Sequence, residues 1–304
     1  MRVLIIGGYG FIGSHVAETM LERGDDVRIF DRPGASKSRI ARIEKEVEII
    51  EGDFTVPEDI LAALESVDAV AHLACTTTPA TSNADIAADV QTNLVGTLKM
   101  LNAVVESGVE RVLFASSGGT IYGPAEDIPI AEDRPTAPVC SNGIHKLAVE
   151  KYLALLNRLH GLEWTALRAS NPYGIAQSPD SGQGAVSAFA HAMKKGNIIH
   201  IWGDGETVRD YFHVSDLADA YAEVLQNPPP SRIYNIGSGR GTSLNELIKI
   251  LSKVSGIEPK VEYLPARASD VPANVLDCSR AGSELGWAAK ISIEDGVREY
   301  FEEE

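Results

Sequence analysis

Residues 1–13 read Met1-Arg2-Val3-Leu4-Ile5-Ile6-Gly7-Gly8-Tyr9-Gly10-Phe11-Ile12-Gly13; an amphipathic run to Gly24 and then Val27-Arg28-Ile29-Phe30-Asp31 follow. The unbroken apolar run before Gly7 predicts a strand buried on both faces, as in a parallel sheet. Gly7, Gly10 and Gly13 stand where the chain turns from strand to helix. The first suits the tight turn, the second lets a pyrophosphate approach the backbone, and the third lets helix and strand pack closely. Free N–H groups and the positive end of the helix dipole then face the phosphate. Phe11 and Ile12 belong to the same binding loop. Asp31 closes the second strand, where an acid takes the adenosine ribose hydroxyls. Asp31 would repel a 2′-phosphate, which favours NAD over NADP; Arg32, Lys37 and Arg39 lie close enough to argue the other way.

Working outward, strands and helices alternate. Strands are expected at 47–50, 69–73, 111–115 and 164–168, and helices at 57–64, 84–107 and 143–160. Such βαβ repetition predicts an α/β fold, a Rossmann doubly wound parallel sheet. The alternation lapses around Asn171-Pro172-Tyr173-Gly174. The expected division is therefore 1–174 for the NAD-binding domain and 175–304 for a smaller α/β substrate domain, with part of 210–237 packing back on the first. Helices are expected near 184–195, 214–227, 243–255 and 293–303.

The 304 residues are 44% apolar and 23% charged, which is ordinary for a globular protein. A net charge of −16 argues against nucleic acid or an anionic membrane as partner. No apolar run reaches the length of a membrane span. The chain enters a strand directly after Met1 without the pattern of a secretory leader, so a cytoplasmic location is expected. Cys75, Cys140 and Cys278 are odd in number and far apart, which suggests reduced thiols without a disulfide frame. No histidine or carboxylate cluster has metal-ligand spacing.

Further motifs follow in order: Gly52-Asp53-Phe54, His72-Leu73-Ala74, Asn93-Leu94-Val95-Gly96-Thr97 and Ser116-Ser117-Gly118-Gly119-Thr120-Ile121-Tyr122-Gly123. With them the chain resembles the extended short-chain dehydrogenases/reductases, in the sugar-nucleotide epimerase/dehydratase group. Within that group it is most similar to UDP-glucose (UDP-galactose) 4-epimerases. The resemblance covers essentially the whole chain. It implies that Asp53 and Phe54 lie at the adenine, and that Leu73, Ala74 and Asn93 line the NAD groove. It implies a homodimer through the helices at about 84–107 and 143–160, and a UDP-hexose, plain or N-acetylated, as substrate. Asn171 then meets the substrate phosphates, Arg209 and Arg267 grip the diphosphate, and Asp270 takes the nucleoside ribose. Guanidinium forks suit phosphate oxygens. Asn274 occupies a position where residue size gates an acetamido group.

The catalytic centre is implied at Ser117, Thr120, Asn142 and Lys146. The family places a tyrosine four residues before the lysine, on one helix face. The ammonium lowers the phenol's pKa so that it takes the sugar hydroxyl's proton. Lys146 is present within Lys146-Leu147-Ala148-Val149-Glu150, but Asn142 stands at the tyrosine position, and an amide is no base near neutral pH. Gly118 occupies the commonest hydroxyl position, flanked by Ser117 and Thr120. Three readings stay open at this point. Asn142 is a tyrosine altered to trap a substrate complex, or the base has moved to His145, Cys140 or Tyr122, or the protein binds without turnover. On the first reading the protein is slow or inactive, and a tyrosine at 142 restores it. A sugar-nucleotide dehydratase with a relocated base is the weaker enzyme alternative, since dehydratases of the group carry an acid where Gly118 and Gly119 stand here.

Overall fold

A computed structural model describes residues 1–125, 127–178, 184–266 and 271–302. The first strands follow the apolar runs: β1 (Arg2–Ile6), β2 (Asp26–Asp31), β3 (Glu48–Glu51), β4 (Ala69–His72), β5 (Arg111–Ser117) and β6 (Glu163–Ala169). With the strand Ile233–Ile236 they form a seven-stranded sheet in the order 233–236, β6, β5, β4, β1, β2, β3. The pairings β1–β2, β2–β3, β1–β4 and β4–β5 are all parallel. This is the Rossmann doubly wound arrangement, with the strand order reversing at β1. Val3, Leu4, Ile5 and Ile6 are at most 1% exposed, so both faces of β1 are covered.

Between the strands run α1 (Phe11–Glu22), α2 (Pro57–Ala63), α3 (Ile86–Asp89), α4 (Gly96–Ser107) and α5 (Ser141–His160). Leu4, Ile6, Val70, Val112, Phe114 and Trp164 meet Met100, Leu101 and Val104 of α4 and Val149, Leu153 and Leu156 of α5 in one core cluster. Burying each large side chain there is worth roughly 1.5–3 kcal/mol. The helix expected over 84–107 is helical but not uniform: a π-helical segment, Val90–Val95, separates α3 from α4. Such a turn carries one more residue per hydrogen bond and is frequent at functional sites.

The chain divides into two units. One comprises Met1–Ile121, Pro138–Arg168 and Ala218–Tyr234; the other comprises Tyr122–Ala137, Ala169–Leu217 and Asn235–Glu304. Residues 122–137 and 169–174 thus go with the second unit, and 218–234 with the first. The second unit packs the helices Ala185–Lys195, Leu244–Ser255 and Ile293–Glu302 around Ile199, Ile201 and Tyr211. It also holds a helix the sequence reading did not include, Ser279–Leu285. Among the described residues no helix is long and apolar enough to cross a membrane.

Candidate active site

The glycine loop is closed by its own geometry. Gly7 has φ +90°, and Gly10 N–H donates to Gly7 O at 3.1 Å. A Cβ on Gly13 would come within 2.2 Å of that same oxygen, so only glycine lets α1 lie this close to the end of β1. Gly10 is the N-cap of α1 and offers no side-chain cap, which leaves the first N–H groups of Phe11, Ile12 and Gly13 directed out of the helix end. Asp31 at the end of β2 braces the loop: Oδ2 accepts Tyr9 N–H and Oδ1 accepts Arg32 N–H, each at 2.8 Å. Lys37, which could have served a 2′-phosphate, is held by Glu51 at 2.9 Å. A bare helix end beside a carboxylate fits a dinucleotide without a 2′-phosphate.

Of the other positions expected at the groove in the first unit, Asp53, Phe54, Leu73 and Ala74 follow the C-terminal ends of strands and Asn93 does not. Asp53 follows β3 and accepts Thr55 N–H at 2.9 Å, and the Phe54 ring lies 5.5 Å from that of His72. Leu73 and Ala74 follow β4, with Leu73 N–H on Ile6 O at 2.9 Å. Asn93, in the π segment, is buried. Its Oδ1 accepts Thr76 N–H at 2.9 Å, and its Nδ2 donates to Asp89 Oδ1 at 2.9 Å. Asn93 thus ties down the loop that leaves β4.

α5 brings the reactive groups together. It can begin beside the loop after β5 because residue 143 is glycine; a Cβ there would meet Thr120 O at 2.5 Å. Lys146 donates to Ala115 O, and its Nζ lies 5.3 Å from the Phe114 ring centre. Burial holds its pKa below the ordinary lysine value, partly offset by Cys75 and Glu150. One turn further, Glu150 accepts Ser116 O–H at 2.6 Å and pairs with Arg168 at 2.6 Å, locking α5 to β5 and β6. Ser117 ends β5. Thr120 Oγ1 is buried and has no hydrogen-bond partner among the described residues.

Asn142 is 3% exposed and does not stand alone. Its Nδ2 donates to Cys75 Sγ at 3.6 Å. The same sulfur lies 3.9 Å from His145 Nε2, and His145 Nδ1 is 2.9 Å from Asp89 Oδ2. Asp89 also accepts from Thr77 and Ser141 hydroxyls at 2.5 and 2.6 Å. Desolvation opposes its ionisation, yet those hydrogen bonds hold its pKa below the usual carboxylate value. Burial alone would push the Cys75 thiol up; the His145 hydrogen bond and the charge of Lys146 outweigh it and bring the pKa to about 7. Of the alternative base positions, Tyr122 belongs to the second unit, where its hydroxyl donates to Asn235 Oδ1 at 2.7 Å. Cys140 is the N-cap of α5. Neither Cys75 nor Asp89 figured among the expected site residues, although Cys75 directly follows Leu73-Ala74 and Asp89 stands four residues before Asn93.

In the second unit, Asn171 Nδ2 donates to Asp210 O at 3.2 Å. Arg209 and Asn274 are register partners in adjacent parallel strands, so the structure brings these two together. The Arg209 guanidinium donates to Val208 O and Val271 O, both at 2.8 Å. Arg267 and Asp270 lie outside the described residues.

Residues 3–237 match the model of the NAD dependent epimerase/dehydratase family. The chain belongs to that family. A putative UDP-glucose 4-epimerase of Methanocaldococcus jannaschii is 33% identical over 97% of this chain and 96% of its own length. The UDP-glucose 4-epimerase of Thermotoga maritima, solved with UDP-glucose, is 35% identical; it superposes with a TM-score of 0.93 over 99% of this chain and 98% of its own. The UDP-glucose 4-epimerase of Thermus thermophilus, solved with NAD, is 34% identical with a TM-score of 0.91, covering 99% of both chains. As a member of the NAD dependent epimerase/dehydratase family, the protein is an NAD-dependent sugar-nucleotide enzyme.

Proposed function

We propose that the protein interconverts the C4 epimers of a UDP-hexose through a 4-keto intermediate, keeping its NAD bound throughout. The observation that carries this reading is Lys146. Its amine is fixed at the end of β5 by Ala115 O, on the helix that also presents residue 142. NAD, when bound, supplies the acceptor for the C4 hydride and later returns it. Everything else falls to the chain. Gly7, Gly10, Phe11, Ile12 and Gly13 hold the pyrophosphate on amide N–H groups, and Asp31 takes the adenosine ribose. Asp53, Phe54, Leu73, Ala74 and Asn93 line the groove, and Lys146 holds the nicotinamide ribose. The hydroxyls of Ser117 and Thr120 position the sugar oxygen, which gives the unsatisfied Thr120 Oγ1 its partner. Asn171, Arg209 and Asn274 of the second unit, with Arg267 and Asp270, serve the uridine diphosphate and the sugar.

A second reading is favoured by one observation. Asn142 stands where the resemblance implies a phenol, which favours a protein that binds NAD and a sugar nucleotide without turnover. Two measurements on the purified protein test the cofactor assignment and, separately, choose between the readings. Mass spectrometry of the small molecules released by denaturation is expected to find NAD; NADP alone, or none after saturation with NAD, refutes the cofactor assignment. Conversion of UDP-galactose and UDP-N-acetylgalactosamine, assayed side by side, is expected to yield the glucose-configured products. Binding without conversion selects the second reading. Arg209→Ala is expected to weaken UDP-sugar binding by about 2–4 kcal/mol if it grips a desolvated diphosphate. Unchanged calorimetric affinity refutes that placement.

A further inference from the structure

Cys75, His145 and Asp89 form a chain of contacts: Sγ to Nε2 at 3.9 Å, then Nδ1 to Oδ2 at 2.9 Å. Within the C4-epimerase reading above, we propose that the Cys75 thiolate is the proton acceptor that the missing phenol would have been, with His145 and Asp89 as its positioning residues.

Three features carry this. The first is place. Asn142 stands at the family's tyrosine position, and its amide tip lies 3.6 Å from Cys75 Sγ. The sulfur therefore occupies the space just beyond a shortened side chain at 142. The second is access. His145 is 3% exposed, whereas Cys75 is exposed as a residue although its sulfur is closely surrounded. A buried imidazole cannot reach a sugar hydroxyl, but it can hold the thiol's proton. The third is the arrangement of donors. Asp89, fixed by Thr77, Ser141 and Asn93, orients the imidazole through Nδ1–H and steadies it when it is charged. Nε2 then faces the sulfur, and Asn142 Nδ2–H adds a donor that favours the thiolate. Asn142 and Cys75 thus form a single device. The amide that cannot accept a proton donates a hydrogen bond to the group that can.

The other charged and titratable groups around the thiol fit the same role. Lys146 lies on α5 beside it and favours the anion. His72 on β4 is held neutral by burial, with a pKa near 3, and adds no charge. Glu150 is consumed by Arg168 and Ser116. In the forward step the hydroxyl O–H bond breaks and its proton forms S–H on Cys75. The oxygen's electron pair becomes the second C–O bond as the C4–H pair is released as hydride, for which NAD would supply the acceptor when bound. In the return step the hydride comes back to the other face, and Cys75 gives its proton to the oxygen. A base placed in this way contributes roughly 10²–10⁴-fold to rate.

The test uses the full chain with its dinucleotide bound. The rate of Cys75 alkylation by iodoacetamide, mapped by peptide mass spectrometry, is expected to titrate with a midpoint near pH 7. His145→Gln and Asp89→Asn are expected to move that midpoint up by at least one pH unit, which loss of packing alone would not do. Cys75→Ser is expected to lower UDP-hexose turnover at least 100-fold while UDP-sugar affinity stays within threefold. Asn142→Tyr added to Cys75→Ala is expected to recover at least tenfold, because a phenol then stands beside Lys146. An alkylation midpoint near that of a free thiol and indifferent to His145→Gln overturns the proposal. Full turnover by Cys75→Ser overturns it as well and leaves the epimerase reading standing. Failure of the unaltered protein to convert any UDP-hexose, with both ligands bound, overturns both.

Discussion

Glu150 is where the reactive helix is anchored, and removing it is expected to be costly. The side chain is 1% exposed and meets Arg168, itself 2% exposed. Glu150→Ala deletes hydrogen bonds of 2.9 and 2.6 Å from the guanidinium and one of 2.6 Å from Ser116 Oγ. The guanidinium stays buried without its counter-charge. Breaking a buried pair from one side costs about 3–5 kcal/mol, because desolvation of the remaining ion is no longer offset. Against a total stability of about 5–15 kcal/mol this is a large fraction. Glu150→Gln keeps the shape and some of the hydrogen bonds but loses the charge, and about half the loss is expected. Glu150→Leu combined with Arg168→Met removes both ions and is expected to return to within about 2 kcal/mol of the starting protein. Native-state hydrogen exchange of the α5 amides, run beside urea unfolding, reads each of these locally. NAD affinity is expected to fall with α5 protection, since α5 carries Asn142, His145 and Lys146. A loss below about 1 kcal/mol in Glu150→Ala, with α5 protection unchanged, refutes the reasoning.

Three more outcomes follow from the same geometry. His72 donates Nε2–H to Thr97 Oγ1 at 3.0 Å, because that hydroxyl's own proton goes to Asn93 O; burial lowers its pKa to about 3, so the unfolded chain binds the extra proton. Stability is complete above pH about 6.5 and falls by about 1.4 kcal/mol per pH unit toward 3, and a urea-midpoint slope between pH 7 and 5 that survives His72→Gln contradicts this. Gly13→Ala drives a Cβ to 2.2 Å from Gly7 O, so overpacking of at least about 1–3 kcal/mol and weakened NAD binding are expected; unchanged calorimetric affinity for NAD counts against it. Tyr152, Leu155 and Leu159 expose an apolar face on α5 at 41%, 45% and 62%, so the protein is expected to be a dimer that Leu155→Lys with Leu159→Lys dissociates; light scattering that finds the unaltered protein monomeric ends that expectation.

Much of the first unit was legible because its signals are local. β1, the glycine loop, α1 and β2 lie within 31 consecutive residues, and the apolar period and glycine spacing are properties of that stretch alone. The parallel sheet follows from repeating such units. Lys146 and Asn142 were legible for the same reason, since a spacing of four on a helix needs no distant partner. The π segment was not legible, because one extra residue in a turn barely alters the apolar pattern over 84–107. Arg209 and Asn274 became partners only through strand register, which joins residues far apart in sequence. The same holds for the thiol. Cys75 reads as an isolated cysteine in the sequence, 67 residues before Asn142 and 70 before His145. Parallel pairing of β4 with β5 sets their C-terminal ends side by side, so the loop leaving β4 meets the start of α5. What the sequence determined is the dinucleotide fold and a helix that carries Asn142 four residues before Lys146. What tertiary structure alone decided is which side chains stand beside Asn142, because the pairing of strands, not their order along the chain, sets which loops meet at the sheet's edge.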